Sequence, residues 1–176
     1  MREIVLRPLE YSDAAVIHDW MNDPETVRYL GGGFENGRSP EYVWEYLRME
    51  TEGDTTNERF AIADKATNEY LGECALLFPD RKVKKAEISI VLVKEARGCG
   101  LGFRALEMLI DYAFTKRGYE RLYLKCAFSN KSALRLYEKL GFVREGLLKR
   151  DTLVGGLPED TVIMALLRKD MQNFIQ

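Results

Sequence analysis

The sequence predicts a layered α+β or α/β fold, a mixed β-sheet with helices on its faces. Three observations carry this. The middle of the chain falls into short runs rich in β-branched residues, the clearest being Glu87-Ile88-Ser89-Ile90-Val91-Leu92-Val93. A glycine-rich turn then changes the period, and Phe103, Leu106, Leu109, Ile110, Ala113 and Phe114 recur at helical spacing. Beyond that helix the pattern returns to a strand, a short helix and two closing strands.

Taken in order, Ile4 to Leu6 reads as a strand stopped at Pro8. Ser12-Asp13 can cap a helix that carries Ala14, Ala15, Ile17, Trp20 and Met21 and ends near Asn22-Asp23-Pro24. Gly31-Gly32-Gly33 and Gly37 mark a loop. Ser39-Pro40-Glu41 opens a second helix, with proline at a first helical position and Val43, Trp44 and Leu47 as its apolar stripe. Arg59 to Ala63, Tyr70 to Phe78 and Ala86 to Val93 read as strands, with Asn68-Glu69 turning the chain between the first two. The basic run Arg81 to Lys85 lies between two apolar runs and reads as a solvated hairpin tip. Gly118 ends the long helix. Leu122, Leu124 and Cys126 share one face of the next strand. Ser129-Asn130 caps a helix with Ala133, Leu136, Tyr137 and Leu140 on one stripe, ended by Gly141. Phe142 to Lys149 and Asp160 to Leu167 close the sheet, with Gly155-Gly156-Leu157-Pro158 between them.

The chain has 176 residues, which predicts one domain, 1–176, able to bury roughly 70% of its unfolded surface without a disulfide or metal staple. A net charge of −2 with both signs interspersed argues against a nucleic-acid partner. The cysteines Cys74, Cys99 and Cys126 are odd in number and lack zinc-ligand spacing. With His18 as the lone histidine they predict no metal site and read as reduced thiols. Met1 to Pro8 is too short and too charged for a signal peptide, and no apolar run approaches the ~20 residues that span a bilayer. The expectation is a soluble cytoplasmic protein with no membrane partner.

Arg97-Gly98-Cys99-Gly100-Leu101-Gly102 stands between a strand and a helix, an arrangement that binds phosphate. Backbone N–H groups at a helix start point outward, the helix dipole favours an anion there, and glycine lets the backbone come close. A mononucleotide P-loop would need Gly-Lys-Ser/Thr where Gly102-Phe103-Arg104 stands. A dinucleotide fingerprint counted from Gly98 would end on Phe103, too large for close helix packing. The pattern Arg/Gln-x-x-Gly-x-Gly/Ala fits every position from Arg97 to Gly102. Downstream stands Asn130-x-Ser132-x-x-x-x-Tyr137-x-x-x-Gly141-Phe142.

These two elements, in this order and at this distance, resemble the coenzyme A motifs of the GNAT superfamily of N-acetyltransferases. Trp20-Met21-Asn22-Asp23-Pro24-Glu25 and the ending Gly141-Phe142-x-x-Glu145-Gly146 through Gly156 and Asp160 are similar to the branch holding ribosomal-protein-alanine and spermidine acetyltransferases. The resemblance implies a mostly antiparallel sheet of about seven strands, splayed between two parallel strands, with helices on both faces. It implies acetyl-CoA as cosubstrate, with no metal, held by Val91, Leu92 and Val93 on one side and Asn130 and Ser132 on the other. The diphosphate would lie on Arg97, Gly98, Cys99, Gly100, Leu101 and Gly102. Two departures stand out: Lys94-Glu95-Ala96 where the family often has proline before the arginine, and Cys99 where a basic or small residue is common. Neither removes a backbone donor; a covalent acyl-carrier role for Cys99 is the other reading of that position.

Tyr137 matches the family's general acid, and it also fits a plain packing role on its helix stripe. Glu87 falls where histone-acetyltransferase relatives carry a base, with a strand-edge charge as the alternative. Ribosomal-alanine relatives take their base from the next parallel strand, where Lys125 stands here and cannot serve while charged. Glu73 and bulk water remain alternatives. Trp20, Tyr29, Phe34, Trp44 and Glu73 are candidates for the acceptor wall, together with the loop from Gly31 to Arg38; each aromatic fits core packing equally. The acceptor amine is a protein N-terminus or a small amine such as a polyamine, an aminoglycoside or an amino sugar, and a homodimer is compatible with the resemblance. The competing class is a non-catalytic acyl-CoA-binding or regulatory module.

Overall fold

The computed structural model describes residues 2–31, 33–34, 36–53 and 56–173. Seven strands form one sheet: β1 (Ile4–Arg7), β2 (Glu58–Asp64), β3 (Tyr70–Asp80), β4 (Lys85–Leu92), β5 (Arg121–Ala127), β6 (Val143–Val154) and β7 (Leu157–Leu167). Their order is β1-β2-β3-β4-β5-β7-β6. Every neighbouring pair is antiparallel except β4 and β5. The helices are α1 (Ala14–Met21), α2 (Pro24–Val27), α3 (Pro40–Glu52), α4 (Leu101–Asp111) and α5 (Lys131–Lys139). A π-helical turn, Tyr112–Lys116, extends α4 to Gly118, whose φ of +70° ends it.

The sheet alternates its side chains between two apolar layers, as period-2 geometry requires. Ala86, Ile88, Ile90 and Leu92 of β4 join Leu122, Leu124 and Cys126 of β5 under α4 and α5, with Leu106, Leu109, Leu134 and Tyr137 in the same layer. The opposite layer packs Ile17, Trp20 and Met21 of α1 and Val43 and Leu47 of α3 onto Ala61 and Tyr70, with Val91 and Val93 against it. The expected caps form at Ser39, whose Oγ accepts from Tyr42 N at 3.3 Å, and at Asn130, whose Oδ1 accepts from Ala133 N at 3.2 Å.

Four local expectations need correction. Trp44 is exposed and stacks on Tyr11 at 5.1 Å instead of joining the buried stripe of α3. Val43 and Leu47, four apart, share the inward face, and Trp44 is turned about 100° from Val43. The carboxylate of Asp13 does not cap α1; it accepts from Arg7 at 2.9 and 2.7 Å and from Glu10 N at 2.9 Å. The chain past Asn22 forms the further turn α2, because the Asp23 side chain accepts from Thr26 N at 3.1 Å and Pro24 sits at its start. The last hairpin is longer than its apolar pattern suggests: Leu157 and Pro158 are paired with Val154 and Leu153, and only Gly155 and Gly156 make the turn. Most of β6 is exposed, since it is the edge strand, so burial leaves no alternation to read there.

A buried polar chain fastens α1 and α3 to the sheet. Trp20 Nε1 donates to the Tyr70 hydroxyl at 3.1 Å, and Tyr70 donates to Glu73 at 3.0 Å. Tyr46 of α3 donates to the other Glu73 oxygen at 2.8 Å, and Arg59 Nη1 reaches the same oxygen at 3.1 Å. Arg59 also lies 3.3 Å from Glu50. Burial pushes the Glu73 carboxyl above its ordinary range, against the pull of Arg59 and the two phenols. Removing Glu73 takes the acceptor from two buried hydroxyls and leaves the largely buried Arg59 guanidinium with Glu50 alone. Glu73→Ala is therefore expected to lower unfolding stability by about 3–5 kcal/mol, and Glu73→Gln, which keeps an acceptor, by less. Urea denaturation measures this, and a loss below about 1 kcal/mol for the alanine variant would contradict the network's structural role.

Candidate active site

β4 and β5 are hydrogen-bonding neighbours only at Lys85–Arg121, Ala86–Leu122 and Glu87–Tyr123. Beyond these pairs β4 stays with β3 as far as Leu92, and β5 stays with β7 as far as Ala127. The two strands therefore diverge, and the edges Ile88–Leu92 and Leu124–Ala127 flank a gap with no ladder between them. Gly102 closes one face of it. A Cβ there would sit 3.4 Å from Leu92 Cδ1 and 3.5 Å from Leu136 Cδ2, so α4, β4 and α5 meet at this glycine. A side chain at Gly102 would point into this packing.

The turn before α4 has the geometry of an anion cradle. Gly98 and Gly100 have φ of +76° and +84°, a region that disfavours any side chain, and a Cβ built on either meets nothing within 4 Å. The space over the turn is open. Gly100 is the N-cap of α4, whose first N–H groups have no acceptor one turn back. Cys99 is exposed, with its thiol 3.2 Å from Ala96 O. A diphosphate fits this donor set. The Arg97 guanidinium, by contrast, turns away from the open side and donates to Leu92 O at 3.1 and 3.0 Å and to Thr26 Oγ1 at 2.5 Å.

The two titratable candidates lie on opposite layers. Tyr137 is 7% exposed, edge-on to Phe142 at 5.9 Å and beside Cys126 of β5. Burial, then the neighbouring thiol, pushes its phenol far above the usual range, so it keeps its proton at neutral pH. Glu87 occupies the last paired position before the gap, on the layer of α1 and α3, and is half-buried. Burial raises its carboxyl, while Lys125 and a hydrogen bond from Tyr123 pull the other way. Tyr123, which no motif in the sequence marks, faces Glu87 across the parallel pair and carries Lys85 5.8 Å from its ring centroid. Only the β4–β5 register brings them together, and no spacing in the sequence announces it.

The remaining acceptor-wall candidates separate. Trp20 is 5% exposed and anchors the buried chain to Glu73, so both belong to the support beneath the wall. Phe34 lies 6.2 Å from Trp20 with the Arg38 guanidinium 5.1 Å from its centroid, and Tyr29 is partly buried beside Arg28. Gly32 and Glu35 of this loop lie outside the described residues. Trp44 faces a separate surface cleft lined by Tyr11, Glu41, Glu45 and Arg48, which includes no coenzyme candidate. Ser132 donates to Asn130 Oδ1 at 3.1 Å. Among the described residues no group of three or more His, Cys, Asp and Glu side chains is placed to hold a metal ion, and no helix is long and apolar enough to cross a membrane.

Comparison with known proteins agrees with this geometry. Residues 3–143 match the family described as "Acetyltransferase (GNAT) domain". The spermidine N(1)-acetyltransferase of Vibrio cholerae is 29% identical over 171 residues, covering 97% of this chain and 96% of its own. An uncharacterized N-acetyltransferase, p20, from Bacillus licheniformis is 28% identical over 169 residues, covering 95% and 94%. The crystal structure of the Vibrio cholerae spermidine N-acetyltransferase in complex with CoA and spermine superposes with a TM-score of 0.87 at 29% identity, over 97% of this chain and 98% of that one. The matched family region contains both arms of the splay, the glycine turn and α5, and the chain belongs to the GNAT family of acetyltransferases.

Proposed function

We propose that this chain transfers the acetyl group of acetyl-CoA to a primary amine of a polyamine, by direct attack within a ternary complex. The observation that carries the proposal is the splay of β4 from β5, with a protonated phenol on one layer and a half-buried carboxylate on the other. Such a gap can receive an extended arm whose polar groups meet the unspent backbone of both strands. The edge Val91–Leu92–Val93 would hold that arm, and Gly98 to Gly102 the diphosphate. Bound acetyl-CoA supplies the activated acetyl thioester.

Glu87 takes a proton from the bound ammonium, directly or through water; the neutral amine then forms its bond to the carbonyl carbon and loses a second proton to water as the amide forms. As the carbon–sulfur bond breaks, Tyr137 gives its proton to the sulfur and is reprotonated from water. Burial serves both steps: it lifts Glu87 towards the working pH and keeps the phenol neutral. Glu73 is spoken for by Arg59 and two phenols, which favours Glu87 as base. Retention of both groups weighs against a non-catalytic module. The polyamine assignment draws on the spermidine acetyltransferases that match nearly end to end. It also suits the charge on the acceptor layer, where Glu50 and Glu73 face the single guanidinium of Arg59. The same reading makes the enzyme cytoplasmic, in keeping with its unpaired thiols, and a homodimer.

Two measurements follow. Incubation with acetyl-CoA and either spermidine or a peptide beginning with alanine, with product identified by mass spectrometry, is expected to give monoacetylated spermidine at the higher kcat/KM. Preferential acetylation of the peptide would overturn the polyamine reading. For Glu87→Gln, turnover at neutral pH should fall by roughly a hundredfold. The wild-type rate should drop as pH falls through the raised Glu87 value, because only the carboxylate accepts a proton, and the variant should lack this acidic limb. An unchanged profile would remove Glu87 from the mechanism.

A further inference from the structure

Arg97 is the most recognisable side chain of the glycine-turn motif, yet its guanidinium is spent away from the open face of that turn. Nε and Nη2 converge on the carbonyl of Leu92, the last residue of β4. Nη2 also donates to Thr26 Oγ1 at 2.5 Å, in the short helix α2. Thr26 is 8% exposed, and its hydroxyl donates onward to Asp23, the residue whose carboxylate also accepts the N–H groups of Glu25 and Thr26. Glu25 lies 3.9 Å from Arg97 Nη1 and 2.9 Å from Lys94 Nζ. A guanidinium with a carboxylate for a neighbour and its inward donors engaged is poorly placed to serve a second anion.

We propose that Arg97 is a positioning residue that fastens the acceptor wall to the coenzyme strand, and is not a ligand of the diphosphate. One end of the clasp is the end of β4, which borders the gap. The other is α2, which leads directly into Arg28, Tyr29 and the loop carrying Phe34. The hydroxyl of Thr26 accepts from Arg97 and gives its own proton to Asp23, so the clasp runs outward from Arg97, to Leu92 O on one side and through Thr26 to Asp23 at the start of α2 on the other. Occupation of the gap and of the glycine turn stabilises the β4 end and the turn that bears Arg97. Through the clasp it also stabilises α2. Acetyl-CoA thereby favours the acceptor-binding arrangement of the wall, and by linkage the two substrates support one another's binding.

Arginine is needed for this because its planar fork reaches Leu92 O and Thr26 Oγ1 together; lysine keeps the charge and loses the fork. The two roles thus predict opposite results. Steady-state kinetics would be run with spermidine on wild type, Arg97→Ala, Arg97→Lys and Thr26→Val, using acetyl-CoA or acetyl-pantetheine, which lacks the diphosphate. The clasp predicts an amine KM raised at least about fivefold in all three variants and with both donors, with the acetyl-CoA dissociation constant measured without amine changed less than about twofold. A rise in that dissociation constant of tenfold or so, restored by lysine and absent with acetyl-pantetheine, would make Arg97 a diphosphate ligand and overturn the proposal. Unchanged constants throughout would overturn it equally. The inference rests on acetyl transfer and not on the polyamine assignment, so a second readout is independent of the acceptor. Acetyl-CoA should slow amide hydrogen exchange across Glu25–Tyr29 in wild type and fail to do so in Arg97→Ala. Equal slowing in both proteins would refute the clasp whatever amine the enzyme uses.

Discussion

The structure depends on a pairing that stops. Three residue pairs join β4 to β5, and then two adjacent parallel strands separate although both continue for four or five residues. Backbone groups left without a ladder partner are costly unless something else satisfies them. Here each strand keeps its outer neighbour, β3 or β7, while the inner edges remain available. Leu92 of β4 and Leu136 of α5 meet α4 at Gly102, on one face of the gap. A fold that left the sheet continuous would have no place for an extended cosubstrate. One that opened it without α4 and α5 behind would expose the apolar layer beneath.

Charge is divided between the two layers in a way that follows from what covers each. The layer under α4 and α5 is apolar around Tyr137, so burial holds its phenol in the protonated form and pushes the Cys126 thiol up to about 11. The layer under α1 and α3 carries Glu87, Glu73, Glu50 and Arg59. Glu73 among them accepts from Tyr46 and Tyr70, and Tyr70 in turn accepts from Trp20, while Glu87 sits at the last paired position before the gap. The two layers therefore carry a protonated phenol and a half-buried carboxyl on opposite faces of the sheet. Their pKa values are both raised, for the same reason, and raising has opposite uses: it keeps a phenol acidic chemistry in reserve and makes a carboxylate a better base.

What the sequence makes legible is what local physics determines. The switch of period at Gly98 to Gly102 marks a strand-turn-helix, and the positive φ values there are what glycine is for. Asn130 before an amphipathic stripe marks a cap, and it caps. Legibility ends where a side chain's partner is set by distant packing. Nothing around Arg97 indicates that Leu92 O and Thr26, 71 residues away, would take its guanidinium. Trp44 beside Val43 suits either face of a helix until the sheet selects Val43 and Leu47. Glu73, an alternative base in the sequence, is a structural hub because Tyr46 of α3, Arg59 of β2 and Tyr70 of its own strand send it donors. The last hairpin extends past its apolar pattern because an edge strand need not bury anything.

We assign acetyl transfer to the opening between β4 and β5. A crystal structure of the protein with CoA tests it most directly. The pantetheine arm is expected between Ile88–Leu92 and Leu124–Ala127, with the diphosphate within hydrogen-bonding distance of N–H groups from Gly98 to Gly102. A coenzyme bound outside the gap, or a gap zipped shut by continued β4–β5 pairing with CoA elsewhere, would contradict it.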